Sequence, residues 1–307
     1  MTGTSGYIAP RHLRAIKDTG NTLVAALDPF DSVGILDSYF PDTEFFTQPE
    51  LFEQYLDNLR RSRQGVDYLT ICSPNYLHEA HIRMALRLGA DAICEKPLVL
   101  NPQDIDRLRE LEAETGRRVW TVLQLRTHPA LLALKEKLER ENFAVPKDLI
   151  LTYITSRGTW YLRSWKGHEE LSGGLATNIG VHFFDMLCWL FGSVRHVEIH
   201  RRENTLAAGY LELERAQVRW FLSIDVNHVP RPLREKGQRT YRSITLDGQE
   251  IEFSEGFTDL HTEVYRRTLE GLGFGLDATY EAIATVAKIR HLPVCVNPET
   301  MHPFLKG

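Results

Sequence analysis

Cysteine is scarce. Four of the 307 residues carry a thiol, at Cys72, Cys94, Cys188 and Cys295, and no two stand in a C-x-x-C spacing. Thiols so few and scattered exclude a disulfide scaffold; they read as reduced, mostly buried small hydrophobes of a cytoplasmic chain. No metal site is expected. Basic charge is not in excess either: 36 Lys and Arg stand against 41 Asp and Glu, a net charge of −5. That balance excludes a general nucleic-acid binder, which carries a basic stripe. No uncharged apolar run approaches the ~18 residues that span a bilayer. The most apolar stretch, 181–191, is eleven residues long and holds His182 and Asp185. The opening Met1-Thr2-Gly3-Thr4-Ser5-Gly6 has neither the basic start nor the apolar block of a secretory signal. Internal repeats and low-complexity segments are absent. What remains is an ordinary soluble composition, 43% hydrophobic and 25% charged. At about 150 residues per domain, the length suggests two domains.

The first half alternates short apolar runs with amphipathic segments. Strands are predicted over 23–28, 44–46, 66–72, 90–94 and 119–123, and helices over 12–18, 49–61, 78–88 and 102–115. Leu51, Phe52, Tyr55, Leu56 and Leu59 show the three-to-four spacing of one helix face. Apolar strands alternating with helices, joined by short loops, give an α/β fold with a doubly wound parallel sheet over 1–124. Such a sheet needs a strand before its first glycine-rich turn. Only two residues precede Gly3, where a strand takes about five or six. Either the start is truncated or the central strand is unusually short; the expectation is a truncated start, with about five apolar residues before Met1 adding stability.

The second half, 125–307, changes period. Strands are predicted over 148–156, 194–201, 207–213 and 218–226, a hairpin over 242–253 around Asp247-Gly248, and helices over 177–190, 259–270 and 277–290. Consecutive strands without helices between them suggest an α+β domain with an antiparallel or mixed open sheet. A helix over 128–142 is expected to bridge the halves.

Gly3-Thr4-Ser5-Gly6-Tyr7-Ile8-Ala9 precedes a helical pattern. Small residues there let the main chain approach a pyrophosphate, and a helix N-terminus supplies N–H donors and a favourable dipole. The spacing is one residue longer than the usual fingerprint, so a plain turn competes with this reading. Asp28 ends the second strand, 22 residues after Gly6, where an adenosine ribose hydroxyl is accepted. Its alternative is to open a turn. Pro29 and Phe30 follow, so no Arg awaits a 2′-phosphate and NAD is favoured over NADP. Ser73, Pro74, Asn75 and His78 follow the third strand, at the edge where open parallel sheets bind ligands. They contact the cofactor or only cap the next helix.

Glu95-Lys96-Pro97 ends the fourth strand on the same edge. In the second half, Asn178, His182 and Asp185 are spaced four and three apart, on one face of a helix. His182 is a candidate base or a core histidine. Residues 157–166 hold Arg157, Arg163 and Lys166, interleaved with Trp160, Tyr161 and Trp165 and with no acid. Guanidinium forks suit phosphate and carboxylate, and aromatic rings offer stacking faces; the alternative is a polar loop. Gln124 and Arg126 follow the fifth strand, on the same edge. Residues 231–242 carry five basic residues and one acid and read as a solvated or inter-subunit loop.

Glu95-Lys96-Pro97, with the G-x-H-x-x-D of Gly180-Val181-His182-Phe183-Phe184-Asp185, resembles the glucose–fructose oxidoreductase/inositol dehydrogenase superfamily (Gfo/Idh/MocA). Further blocks fit its UDP-N-acetylglucosaminuronate 3-dehydrogenases of bacterial O-antigen and lipopolysaccharide synthesis. They run from Gly6 to His12, Cys72 to Asn75, Thr155 to Gly158, Ser164 to Lys166, Ala176 to Gly180 and Phe253 to His261. The resemblance implies NAD-dependent oxidation of the sugar C3 hydroxyl to a 3-keto sugar. It also implies tightly held NAD re-oxidised by 2-oxoglutarate, a homotetramer, and a Lys96–Pro97 bond that is often cis. Many superfamily members have Asp where this chain has Asn178, so a carboxylate–imidazole pair is unavailable there.

The catalytic candidates are therefore Lys96 and His182, expected to converge beside the nicotinamide. His182 serves as base with Lys96 as polariser and proton partner, or the roles reverse. Cofactor contacts are expected from Gly3, Gly6, Tyr7, Ile8, Asp28, Ser73, Pro74, Asn75, His78, Glu95, Lys96 and Trp165. Substrate contacts are expected from Lys96, Gln124, Arg126, Arg157, Tyr161, Lys166, Asn178 and His182. The rival readings are a dehydrogenase of a free sugar or polyol, and a catalytically silent NAD-binding regulator.

Overall fold

The computed structural model describes residues 1–141, 145–251 and 259–306. The chain divides into two compact units, Met1–Thr127 with Phe257–Tyr280, and His128–Gly256 with Glu281–Gly307. A single cut at 124 leaves out the return of 257–280 to the first unit. Val264 and Tyr265 make that return, joining the apolar core of Leu13, Ile16, Ala26 and Ile93. Nothing local in a helix sequence reports which distant core it will fill.

The first unit is a parallel sheet clothed in helices. In chain order it holds α1 (Ala9–Asp18), β1 (Ala25–Leu27), α2 (Leu36–Tyr39), β2 (Glu44–Phe46), α3 (Pro49–Arg61), β3 (Tyr68–Ile71), α4 (His78–Arg87), β4 (Asp91–Cys94), α5 (Pro102–Thr115) and β5 (Val119–Thr121). β1 pairs with β2, β3 with β4 and β4 with β5, all in parallel. The place between β1 and β3 belongs to Met1 and Thr2. Thr2 bridges Leu27 and Ile71 in parallel, its N–H donates to Thr70 O, and its carbonyl accepts from Cys72 N. Two residues thus occupy the central strand position whose shortness the sequence signalled. β1 is wholly buried, and β3 and β4 are buried beyond their first residue, as a sheet covered on both faces requires. Because every strand runs the same way, the turns after Thr2, β1, β3, β4 and β5 share one edge.

The second unit begins with α6 (Pro129–Arg140), β6 (Lys147–Thr155), α7 (Thr159–Arg163), α8 (Glu169–Ser172) and α9 (Val181–Phe191). It continues through β7 (Val194–Arg202), β8 (Leu206–Leu213), β9 (Ala216–Ser223), α10 (Arg231–Glu235), β10 (Thr240–Leu246) and β11 (Gln249–Glu250). Its six-stranded sheet has the order β11-β10-β6-β9-β8-β7. β6 and β9 are parallel and the other pairs antiparallel, so the sheet is mixed. Asp247 and Gly248 turn the β10–β11 hairpin with positive φ at both positions, the two-residue geometry that suits strand twist. The predicted end of this hairpin, 252–253, lies outside the described residues, as does the 253–258 part of the Phe253 to His261 block. α11 (Leu260–Leu269) belongs to the first unit, and α12 (Leu276–His291) starts there and continues into the second.

The predicted helix over 177–190 is two pieces. Ala176–Gly180 is a π-helical turn, and the α-helix starts at Val181. Gly180 allows the close packing: a Cβ there would lie 2.6 Å from Leu222 Cδ1 and 2.9 Å from Phe184 Cε2. Behind it, Phe184 meets the fully buried Trp220 edge to face. Among the described residues, Glu169–Phe191 is long and apolar enough to cross a membrane, but 72% of its apolar window is buried, as in a core helix.

Candidate active site

The glycine-rich turn is shaped for a close approach. Gly3 has φ +77°, and a Cβ there would lie 2.4 Å from the Cys72 carbonyl. α1 begins without a side-chain cap and without an acid in its first turn, so its N–H donors suit an anion. Asp28, buried at the end of β1, accepts from Ser5 N (2.9 Å) and Phe30 N (3.0 Å). One carboxylate therefore fastens the glycine-rich turn to the strand end, and lone pairs remain for a hydroxyl. Tyr7 projects from the turn, 91% exposed. These residues fit a dinucleotide: a turn with glycine at positions 3 and 6, an uncapped helix start and an acid bonded to the turn.

The turns after β3 and β4 are tied together. His78 is buried and sets its ring nitrogens against Pro97 O (2.7 Å) and Ser73 O (2.8 Å). Burial pushes its pKa down, against the pull of these carbonyls. Ser73 Oγ pairs with His81 Nδ1 (2.8 Å), and burial takes His81 down to about 4. Pro74 precedes a 3₁₀ turn, Asn75–Leu77, whose Asn75 is buried. The Lys96–Pro97 bond is cis. Lys96 is half-buried, and its N–H donates to Glu95 Oε2 (3.1 Å).

Glu95 is itself buried, and its Oε1 accepts from His12 Nε2 (2.9 Å) and His261 Nε2 (3.1 Å). Burial opposes its charge, yet the two histidines outweigh burial and hold the carboxyl well below its usual range. Gln124 heads a 3₁₀ turn after β5, with its Oε1 buried and without a hydrogen-bond partner. Arg126 donates to Ala278 O (2.6 Å) and lies over the Phe274 ring, so in this structure its guanidinium holds the returning segment.

In the second unit, Tyr161 is buried and its hydroxyl accepts from Asn178 Nδ2 on the π turn. His182 is half-buried, edge-on to Tyr153 of β6 and against Phe183. Asp185, by contrast, is only 2% exposed, so of the three spaced residues it alone is fully in the core while Asn178 and His182 are half-buried. Arg157 is exposed at the end of β6, and Lys166 lies 3.9 Å above the Trp165 ring, covering one face of it. Tyr161 and Lys166 line a cavity of about 130 Å³ with Arg202, Arg290 and Glu169.

Two family models cover most of the chain. Residues 1–123 match the family's "Oxidoreductase family, NAD-binding Rossmann fold", and 135–237 match its "C-terminal alpha/beta domain". The chain belongs to the Gfo/Idh/MocA oxidoreductase family. A WlbA (WbpB) dehydrogenase from Thermus thermophilus, solved with NAD and α-ketoglutarate, is 65% identical over 99% of this chain and 98% of its own, with a TM-score of 0.96. Its structure with NAD and UDP-GlcNAcA gives 64% identity over the same shares and 0.95. Among curated proteins, inositol 2-dehydrogenase 1 of Saccharopolyspora erythraea is 29% identical over 150 residues, 48% of this chain and 42% of that enzyme. The chain thus spans less than half the length of the curated relatives it matches.

The Glu95 cluster holds two residues that spacing did not reveal. His12 and His261 lie inside two of the blocks that carried the resemblance, and the structure gives both a job on Glu95. Their separation of 249 residues hid the pairing; two histidines inside otherwise apolar helix faces were the available signal. Arg202 and Arg290 of the cavity sit in a plain strand and a plain helix, where nothing local distinguishes them.

Proposed function

We propose that the chain oxidises the C3 hydroxyl of UDP-N-acetylglucosaminuronate to the 3-keto sugar nucleotide, with NAD as acceptor. The observation that carries this reading is the 65% identity over 99% of the chain to a dehydrogenase solved with NAD and α-ketoglutarate; the companion structure with UDP-GlcNAcA supports it. Gly3, Gly6, Tyr7, Ile8 and the start of α1 would hold the pyrophosphate, and Asp28 the ribose. Ser73, Pro74, Asn75, His78 and Glu95 would shape the nicotinamide end, with Trp165 stacking. NAD supplies a hydride acceptor at its nicotinamide C4.

The chain's own residues handle the proton and the charge. The C3–H bond breaks with its electron pair leaving as hydride, C=O forms, and the hydroxyl proton passes to the His182 imidazole. Lys96 polarises the C3 oxygen and shares that proton. Imidazole suits the base role near neutral pH. Gln124, Arg157, Tyr161, Lys166 and Asn178 bind the sugar nucleotide, the Arg157 guanidinium and the Lys166 ammonium meeting its phosphate and carboxylate charge. The 3-keto group so formed is one that an aminotransferase accepts. We assign re-oxidation to 2-oxoglutarate, which takes hydride and proton to become 2-hydroxyglutarate. We place the enzyme in the cytoplasm as a homotetramer; four cysteines that form no disulfide among themselves suit a reducing compartment.

The test mixes purified protein with UDP-N-acetylglucosaminuronate and 2-oxoglutarate and measures 2-hydroxyglutarate. Formation only when the sugar nucleotide is present supports the reading. Formation with free sugars or polyols, unaffected by added UDP, overturns its substrate. No product with any of them overturns the enzyme.

A further inference from the structure

His12 and His261 come from α1 and α11, and both point Nε2 at one oxygen of Glu95. Their side chains are 0% and 5% exposed, and that of Glu95 is 8% exposed. An ionised carboxylate only accepts, so each facing nitrogen carries its hydrogen. His12 Nδ1 is then an acceptor, and the Tyr265 hydroxyl lies 2.8 Å from it as donor. Tyr265 in turn accepts from Thr70 Oγ1 at 2.9 Å. The chain of donors is complete: Thr70 to Tyr265, Tyr265 to His12, His12 to Glu95, and His261 to Glu95. The second Glu95 oxygen faces the Lys96 N–H.

This is far more hydrogen bonding than one strand end needs. Burying a carboxylate without donors costs several kcal/mol, and the cheapest sequence would have no acid here. The arrangement makes sense if the acid has a mechanical task. Its second oxygen accepts from the main-chain N–H of Lys96, the residue that the dehydrogenase reading makes catalytic. We propose that His12 and His261 are positioning residues that clamp Glu95 and, through it, hold the Lys96 main chain in its working place. The proposal rests on the dehydrogenase reading for the role of Lys96, and goes beyond it in naming what holds that lysine.

Removing either histidine leaves Glu95 with one buried donor fewer, so the carboxyl tends to its neutral form and its grip on Lys96 N–H weakens. His12→Leu and His261→Leu should each lower kcat about 10-fold or more, the range for a hydrogen bond to a charged group. KM for NAD should stay within about twofold, because the dinucleotide cradle of Gly3 and Asp28 is untouched. In a Glu95→Gln background, the same substitutions should change kcat by less than about twofold, since all act through one carboxylate. His12→Gln and His261→Gln keep an N–H donor and should recover part of kcat, and they also serve if the Leu variants do not fold.

Hydrogen exchange of the Lys96 amide in the holoprotein supplies a readout independent of turnover. It should quicken in the Leu variants. Wild-type kcat and wild-type Lys96 exchange in the variants would overturn the proposal. So would effects undiminished in the Glu95→Gln background. If the wild-type protein does not oxidise the sugar nucleotide, the dehydrogenase reading fails, while the exchange measurement still decides the clamp.

Discussion

Gly3→Ala tests the cofactor cradle at its tightest point. A methyl group at this position would lie 2.4 Å from both the carbonyl carbon and oxygen of Cys72 and 2.5 Å from Ser73 N. All three are main-chain atoms of the turn after β3, so no side chain can rotate away. The φ of +77° adds a second cost, about 1–2 kcal/mol for an L-residue in the left-handed region. Forcing a methyl into a packed site costs about 1–3 kcal/mol. Together the loss is roughly 2–5 kcal/mol, which lowers the Tm of a unit this size by roughly 5–15 °C. The strand ends must part to relieve the clash, and that carries Ser5 and Ser73 away from their places, so NAD affinity should fall at least about 10-fold.

Thermal unfolding followed by fluorescence, with NAD titrations at a temperature where the variant is folded, measures both. Gly34→Ala is the control, since nothing lies within 4 Å of the added Cβ. A Gly3→Ala protein with the Tm and NAD affinity of the control would refute the packing argument.

Other outcomes follow from the same geometry. Asp28→Ala removes the acceptor of Ser5 N and Phe30 N, and NAD should bind about 10–100-fold more weakly by titration calorimetry. Lys96→Ala and His182→Ala should each abolish hydride transfer, read as nicotinamide absorbance, while NAD remains bound in a filtration assay. Glu198 lies at low exposure, and burial opposes its charge. Hydrogen bonds from Thr300, His200, Asn297 and His196 nevertheless take it down from 4.5 to about 2. A carboxyl depressed in the folded state adds stability that is fully present above pH 4.5 and is lost as pH falls through about 2. Denaturant unfolding between those pH values should therefore show a steeper loss of stability in the wild type than in Glu198→Gln.

Sequence patterns carried the first unit well because its signals are local. The strands at 44–46 and helices at 49–61 and 102–115 have the ends that periodicity and Pro at the first turn assign. Asp28 was legible as an acid closing a strand, and the structure adds its bonds to Ser5 N and Phe30 N. The central strand was anomalous by length alone, and only the bridges of Thr2 to both neighbours show how two residues fill it. Other features had no local signature. A π turn at Ala176–Gly180 leaves the 3.6-residue pattern intact in sequence while changing which residues are buried. Arg126 had the right type for a carboxylate and a strand-end address, yet its guanidinium is held by Ala278 O and Phe274, contacts made by a segment 150 residues away. The His12–Glu95–His261 cluster joins three distant places for the same reason: charge networks close through space, and periodicity describes only neighbours.

Hydride leaving the sugar C3 for the cofactor is the central step. UDP-N-acetylglucosaminuronate deuterated at C3 should, in a single turnover, place its deuterium at C4 of the nicotinamide and leave a sugar nucleotide lighter by that deuterium and one hydrogen. A nicotinamide without deuterium, beside an intact C3–deuterium bond, would contradict it.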